Sequence, residues 1–418
     1  MQIAHFTSET YGGAGIAAER LHRGLLERGV DSRFLFDKGD CFASSASRIC
    51  TASNYLLRRN ADLAHGVRNR LNKPGLDIFT SPCEPRRTPL TLFGRPPDVV
   101  NLHWVARWLD VPSFFRSLPP AMPVVWSLHD MNPFTGGCHL WTGCERFTSR
   151  CRDCPYLRVS WAWDASARYF RAKERAYRGR RLHIVGNSRW TTTQARRSHL
   201  LRNAASFETI PLGLDTEEYI ALDKATARAA LRLPPADCVL GFACADLSST
   251  NKNLKALLEA LQQLPDEKGL LLLVVGGGKP PPVPSRLRAI YLGAVGAARL
   301  QSVFYSALDV FVMPSRMETF GLAGLEAMAC ATPVIAYRTG GIPDFLEDGR
   351  TGLLAPDPGE AGGLTERLAW IKAHPNERRA MGLAARERVE RHFTIQLMAE
   401  RYTRLYERLL ADGPSQNS

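Results

Sequence analysis

Ten short apolar runs, spaced along the chain and separated by segments of helical periodicity, constrain this sequence more than any single residue. "QIAHF", "SRFLF", "DVVNL", "PVVWS" and "LHIVG" lie in the first half, and "CVLGFA", "LLLLVVG", "AIYLG", "DVFVMP" and "PVIAY" in the second. Strands this short and this continuously apolar are buried on both faces. The helical spacing of Ala14 to Arg28, Leu254 to Leu264 and Leu322 to Cys330 predicts the helices that cover them. Alternation of this kind gives parallel sheets, so each half is expected to be a doubly wound, Rossmann-like α/β domain. A chain of 418 residues also exceeds what one core supports.

The join is expected in "IPLGLDTEEY", where a strand runs into a Pro/Gly segment before the helix holding Ala225 to Leu231. The expected domains are 1–212 and 213–392; a last helix, 393–411, is expected to pack back on the first, and 412–418 to be a frayed tail. Two such domains facing each other leave a cleft, and ligands of open α/β sheets sit beyond the carboxyl ends of the strands. Residues just after strands are therefore the candidates for chemistry.

The start, "MQIAHFTSETYGG", lacks the basic and apolar regions of a secretory signal, which points to the cytoplasm. No apolar run approaches the ~18–20 residues needed to span a bilayer. The formal charge is +13, and residues 150–206 carry fourteen Arg or Lys against Asp153, Asp164 and Glu174. Within that stretch Trp161, Trp163, Tyr169, Phe170 and Tyr177 alternate with arginines in an expected helix, which suits either anionic lipid headgroups or a solvated helix with its rings in the core. No nucleic-acid module surrounds the charge, so nucleic acid is not expected as a partner.

Gly12, Gly13 and Gly15 follow the first strand and open a helix. Small residues there let a ligand approach a positive helix end, or simply allow tight strand-to-helix packing. In "SRMETFGLAGLEAMACATPVIAY", Glu318 stands in the loop after a strand, and Phe320, Gly321 and Leu322 open a helix whose first amides can hold a phosphate. Glu326 lies one turn after Leu322, among apolar neighbours, with a carboxylate able to accept from both hydroxyls of a ribose. One carboxylate near a sugar, amides at a pyrophosphate and a second carboxylate at the ribose suit a nucleotide sugar.

Four of the ten cysteines fall in one stretch, Cys138-x5-Cys144-x6-Cys151-x2-Cys154. Four thiolates at this spacing can close a tetrahedral zinc site with no open position for a catalytic water, with His139 as a substitute ligand. An iron–sulfur cluster, transient disulfides and unliganded thiols are the alternatives. Structural zinc is expected and a catalytic metal is not. Cys41, Cys50, Cys83, Cys238, Cys244 and Cys330 show no grouping and are expected to be small, mostly buried residues.

The segment from Glu318 to Ala336 resembles the E-x7-E signature of family 4 retaining glycosyltransferases of the GT-B fold, and "GGIPDFLEDGRTGLL" is similar to the continuation of that signature. The resemblance covers most of the chain, including "GGAG", "IPLGLD" and Lys252 in "STNKNL". The stretch "VVWSLHDMNPFTGGCHLWTGC…CRDCP" looks like the branch with colanic-acid-type exopolysaccharide glycosyltransferases. By position, the resemblance implies that Glu318 contacts the transferred sugar, Glu326 the ribose and Lys252 the diphosphate. Phe320, Gly321 and Leu322 would give backbone contacts, and His129, beside Asp130, would face the donor sugar.

Two positions depart from the pattern. Asp246 stands where many relatives have an arginine, leaving Arg316 and Arg338 as substitute phosphate contacts, and Asn253 replaces a common glycine. The implied activity is retaining transfer from a UDP- or GDP-sugar to a glycan or lipid-linked acceptor in exopolysaccharide or lipopolysaccharide synthesis, at the inner face of the cytoplasmic membrane. The competing expectation is an inactive GT-B scaffold or a zinc-dependent binding module for anionic polymers. Under the first expectation the cysteine segment would be a clip on the acceptor side of the enzyme.

Overall fold

The computed structural model describes residues 1–41, 45–48, 79–80, 96–158, 164–264, 269–356, 358 and 362–412. Trp161, Trp163, Cys50 and Cys83, and all of the expected tail after residue 412, lie outside the described residues. The chain forms two compact units, Met1–Gly213 with Ile395–Ser418, and Leu214–Thr394.

The first unit contains β1 (Gln2–Glu9), α1 (Gly12–Glu27), β2 (Asp31–Lys38), β3 (Ala46–Arg48), β4 (Val99–Leu102), α2 (Val111–Ser117), β5 (Val124–Leu128), α3 (Ala165–Tyr177), β6 (Leu182–Gly186), α4 (Arg189–Arg197) and β7 (Ser206–Thr209). The second contains α5 (Lys224–Ala230), β8 (Cys238–Asp246), α6 (Leu254–Gln262), β9 (Leu270–Gly277), β10 (Arg288–Tyr291), α7 (Ala298–Ala307), β11 (Val310–Met313), α8 (Leu322–Ala329), β12 (Val334–Tyr337), α9 (Ile342–Phe345), β13 (Gly352–Ala355), α10 (Gly363–Ala373) and α11 (Pro375–His392). The last helix, α12 (Ile395–Ala411), belongs to the first unit.

Both sheets pair in parallel throughout. Their orders are β3-β2-β1-β4-β5-β6-β7 and β10-β9-β8-β11-β12-β13. All ten apolar runs lie on strands. β3 and β7, absent from the pattern, are edge strands with half-exposed residues, where burial imposes no apolar run, and β13 is only a short "GLLA".

Alternation along β1 assigns the faces. Ala4 and Phe6 join a core with Trp108, Phe115, Trp126 and Tyr177, while Ile3 joins Leu21 and Leu25 of α1 and Met398, Tyr402 and Tyr406 of α12. The α1–α12 crossing is close because Gly24 has no side chain; a Cβ there would sit 2.6 Å from Ile395 Cγ2 and 2.9 Å from Ala399 Cβ. Beneath α12, Asn101 Nδ2 donates to Tyr406 Oη at 2.7 Å, and Ser127 Oγ meets Tyr402 Oη at 2.7 Å. Both tyrosine hydroxyls of α12 thus find partners in the sheet.

Tyr169, Phe170 and Tyr177 of α3 are buried, so these rings pack into the unit rather than presenting a lipid-facing row. No helix among the described residues is long and apolar enough to cross a membrane.

Candidate active site

In the second unit, the loop between β11 and α8 and the loop between β8 and α6 are tied together by Asn251. Its carbonyl accepts from Arg316 N at 2.8 Å, and its side chain brackets the Met317 main chain, with Nδ2 donating to the carbonyl at 2.9 Å and Oδ1 accepting from the amide at 3.2 Å. The clamp sets the next residue of each loop face to face. Lys252 Nζ lies 2.5 Å from Glu318 Oε1, with the lysine side chain 38% and the glutamate 12% exposed.

The main chain of Glu318 is fixed from the other side, where its carbonyl accepts from Gly341 N at 2.9 Å. Gly340 makes that approach possible. Its φ is +53°, and a Cβ would stand 1.9 Å from the Glu318 carbonyl oxygen.

Gly321 caps α8 with φ +114°, where a Cβ would press on Met313 and Phe345. The Phe320 ring is sealed against Phe345 and Phe393, at centroid distances of 5.5 and 6.1 Å, which leaves only its backbone for a ligand. The leading amides of α8 begin at Leu322, outside the helical ladder and at the positive end of the helix. Glu326 is buried one turn on, and its Oε2 accepts from the Tyr305 hydroxyl at 3.2 Å. Burial, then the neighbouring Glu326 carboxylate, hold the Tyr305 phenol well above its ordinary pKa, so it remains a donor.

The two departures have local explanations. Asn253 caps α6 in the left-handed conformation, φ +57°, which glycine adopts freely and asparagine tolerates better than most residues. Asp246 turns its carboxylate into its own loop: Oδ1 accepts from Ser248 N at 2.9 Å and from Ser248 Oγ at 2.7 Å, and these bonds lower its pKa. Arg316 has an exposed side chain, whereas Arg338 is bound to Asp348 at 2.8 Å.

In the first unit, Gly12 takes φ +71° at the start of α1, and a Cβ on Gly15 would meet the Glu9 carbonyl oxygen at 2.4 Å. Gly15 is therefore required for packing; Gly12 and Gly13 are exposed at the helix start. His129 follows β5, partly exposed, with Nε2 at 3.0 Å from Nδ1 of His103, and His103 Nε2 lies 3.0 Å from Nδ1 of His5. Asp130 turns inward instead. It pairs with His139 Nδ1 at 2.5 Å and accepts from Trp104 Nε1 at 2.7 Å and Asn132 N at 2.8 Å. The irregular loop that follows is held by its carbonyls: Lys173 Nζ, wholly buried, donates to those of Asn132 and Thr135, Tyr177 to Pro133 and Ser198 to Phe134.

The four cysteines of that loop gather around Cys138, whose thiol hydrogen-bonds Cys154 and lies within electrostatic reach of Cys151 and Cys144. Cys154 is held below its ordinary pKa first by that bond, with backbone N–H groups of Tyr156 and Leu157 helping, while burial pushes Cys151 up to about 12 despite an N–H from Gly136 at 3.2 Å. Among the described residues no set of three or more His, Cys, Asp or Glu side chains is arranged to hold a metal ion as placed. His139 is not a spare ligand, since Nδ1 is taken by Asp130 and Nε2 by Thr80 Oγ1 at 2.7 Å.

Sequence reasoning found the two glutamates and the lysine but not Asn251, Tyr305 or Gly340, which hold them. A glycine doublet before "IPDF" was the one available signal for Gly340; Asn251 and Tyr305 are ordinary residue types whose roles depend on contacts 66 and 21 residues away.

Residues 238–372 match the family model described as "Glycosyl transferases group 1". A D-inositol 3-phosphate glycosyltransferase of Segniliparus rotundus is 32% identical over 211 residues, covering 46% of this chain and 46% of the relative. Alpha-maltose-1-phosphate synthase of Mycolicibacterium smegmatis is 42% identical over 111 residues, 25% of this chain and 29% of the relative. The chain thus spans less than half the length of these relatives. Among solved structures, sucrose-phosphate synthase from Thermosynechococcus elongatus matches with a TM-score of 0.68 at 20% identity, over 99% of this chain and 100% of that one. WaaG, a glycosyltransferase involved in lipopolysaccharide biosynthesis, matches with a TM-score of 0.64 at 17% identity, over 97% and 99%. The chain has the fold of the GT-B glycosyltransferases, two Rossmann-like α/β domains with parallel sheets.

Proposed function

We propose that this chain is a retaining glycosyltransferase that moves a sugar from a nucleotide-diphosphate donor to a glycan or lipid-linked acceptor. The observation that carries the reading is the Lys252–Glu318 pair formed between the loop before α6 and the loop before α8, with Glu326 on α8 itself. A donor has the matching sequence of groups. The sugar meets Glu318, the diphosphate meets Lys252 and the α8 amides, and the ribose meets Glu326, whose rotamer Tyr305 fixes.

As the glycosidic bond to the diphosphate breaks, negative charge grows on the leaving phosphate oxygen. A fixed ammonium and fixed amides aimed there stabilise that charge without reorganising. The acceptor hydroxyl adds to the anomeric carbon on the face the phosphate leaves, and its proton passes to the departing diphosphate. By the resemblance, His129 is assigned to the donor sugar. The family 4 assignment rests on the segment from Glu318 to Ala336, and the colanic-acid-type branch, with the role in exopolysaccharide or lipopolysaccharide synthesis, on the segment from Val124 to Pro155. The cytoplasmic face of the membrane is the site this implies.

The test is thermal stability and donor hydrolysis of the full chain with UDP- and GDP-sugars. Saturation at a hundredfold over Kd stabilises by about 2.7 kcal/mol, and Glu326→Ala removes most of that shift. No shift with any nucleotide sugar overturns the reading in favour of an inactive scaffold.

For the four cysteines we propose structural zinc. Their spacing supports it, and so do the N–H donors on the sulfurs of Cys151 and Cys154, which favour thiolates over thiols. Zinc would replace the Cys138–Cys154 hydrogen bond. Metal analysis of the purified chain is expected to find one equivalent, lost in Cys151→Ser with Cys154→Ser; a metal-free chain of unchanged stability overturns it.

A further inference from the structure

We propose that His103 is a positioning residue for His129: the row His5, His103 and His129 fixes the His129 proton on Nδ1 and makes that ring a hydrogen-bond donor. The proposal rests on the reading that His129 faces the donor sugar. The row exists because β1, β4 and β5 are neighbours in the sheet, and one histidine comes from β1 while the others follow β4 and β5 directly. Bonds to the His103 main chain hold its centre, with His103 N donating to the Phe6 carbonyl at 2.9 Å and Trp126 Nε1 donating to the His103 carbonyl at 3.2 Å. Consecutive rings stack at 5.3 Å with 28° between their planes, and each N···N contact is 3.0 Å.

A neutral imidazole carries one proton, so each of these contacts needs one donor and one acceptor, and the choice at one end propagates to the other. If His5 donates from Nδ1, His103 accepts at Nε2, its own proton lies on Nδ1 and is donated to His129 Nε2, and His129 is protonated on Nδ1. In the opposite state His129 donates from Nε2, His103 donates to His5, and the His5 proton lies on Nε2. His5 is fully buried, and its Nε2 has no hydrogen-bond partner among the described residues. The first state leaves a lone pair there; the second would leave a buried N–H without an acceptor, the rarer and more costly arrangement. The interior end of the row therefore decides the tautomer at the partly exposed end. Burial, with the neighbouring imidazoles, keeps His5 and His103 neutral.

This order runs against the preference of a free neutral imidazole in water for a proton on Nε2, which makes it measurable. A ring protonated on Nδ1 offers an N–H to a sugar or phosphate oxygen and does not withdraw a proton from the acceptor hydroxyl through that nitrogen. The row assigns His129 to orientation and charge stabilisation rather than to general-base work.

The experiment is long-range proton–nitrogen NMR of the full chain carrying 15N-histidine, with donor turnover measured alongside. The expected wild-type spectrum has His103 and His129 protonated on Nδ1. His103→Phe keeps a ring of similar size but no donor, and is expected to return His129 to an Nε2-protonated population and lower kcat by about tenfold or more, with donor KM little changed. His103→Gln can accept from His5 and donate to His129, and is expected to retain the Nδ1 tautomer and most of the rate. A packing role would favour phenylalanine over glutamine. A wild-type His129 protonated on Nε2, or Phe and Gln variants that do not differ, overturns the proposal; the wild-type spectrum decides even where His103→Phe does not fold. Tautomers are read without substrate, so a chain that transfers no sugar refutes the glycosyltransferase reading while the spectrum still judges the row.

Discussion

Replacing Lys252 with alanine separates a role in stability from one in chemistry, because the structure sets different magnitudes for the two. The ammonium lies 2.5 Å from Glu318 Oε1 but is 38% exposed, and pairs so open to water contribute about 0.2–1 kcal/mol. For a unit of this size a loss of 1 kcal/mol lowers Tm by about 2–4 °C. On the proposed reading the same ammonium faces, in the transition state, a diphosphate that is acquiring charge, and losing one preorganised donor there would cost about 2.7–4 kcal/mol, or ~10²–10³ in kcat. Lys252→Ala is therefore expected to fold with a Tm within a few degrees of wild type and to release nucleotide diphosphate at least ~100-fold more slowly. Lys255→Ala, a change in an exposed i,i+4 pair with Glu259 on α6, is the control for general surface charge. The assay is donor turnover beside thermal melting. A Lys252 variant within about threefold of wild type, or one that falls in parallel with Lys255→Ala, would refute the assignment of Lys252 to the leaving group.

Asn251→Ala removes two neutral hydrogen bonds to the Met317 main chain and is expected to destabilise by about 1–3 kcal/mol in urea titrations while lowering kcat more than it raises donor KM. Gly340→Ala forces a Cβ onto the Glu318 carbonyl at a left-handed position; a loss of about 2–3 kcal/mol, with activity lowered through displaced Glu318, is the expected result, and unchanged melting would deny that approach any importance. His22, fully buried between Ser32 and Ser45, has its pKa lowered from 6.5 to about 4 by burial. Between those values the unfolded chain takes up a proton that the folded chain does not, so stability falls as pH falls, by at most about 1.4 kcal/mol per pH unit. His22→Gln is expected to lose less stability than wild type between pH 7 and 5 by urea midpoint, and equal losses would clear His22 of that role.

The doubly wound fold was legible because its central strands leave little choice. β1, β5, β9 and β11 are buried on both faces, so each carries an apolar run, and the helices between them carry the complementary stripe. The pattern weakens where burial does. β7 contributes "SFET" with every residue half-buried, and the α3 segment reads alike whether its aromatics face lipid or protein. Composition marks Tyr169, Phe170 and Tyr177 as amphipathic partners for arginine; only the tertiary fold shows that these rings are inside, stacked over a buried lysine in the case of Tyr169.

The site divides along the same line, between residues whose type is itself the signal and residues whose neighbours are. A carboxylate at a strand end and another inside an apolar helix are costly enough to stand out, so Glu318 and Glu326 could be found from spacing alone. The side chains that make them act together are cheap in sequence terms. Asn251 is an ordinary loop residue until its amide spans Met317, and Tyr305 an ordinary core aromatic until its hydroxyl reaches Glu326. His103 is the sharpest case: in "VVNLHW" it follows a strand and looks like a packing residue, yet two ring nitrogens at 3.0 Å on either side give it the power to decide where the proton of His129 sits. Chemistry that depends on a proton's position is written across three strands at once, and no window of the sequence contains it.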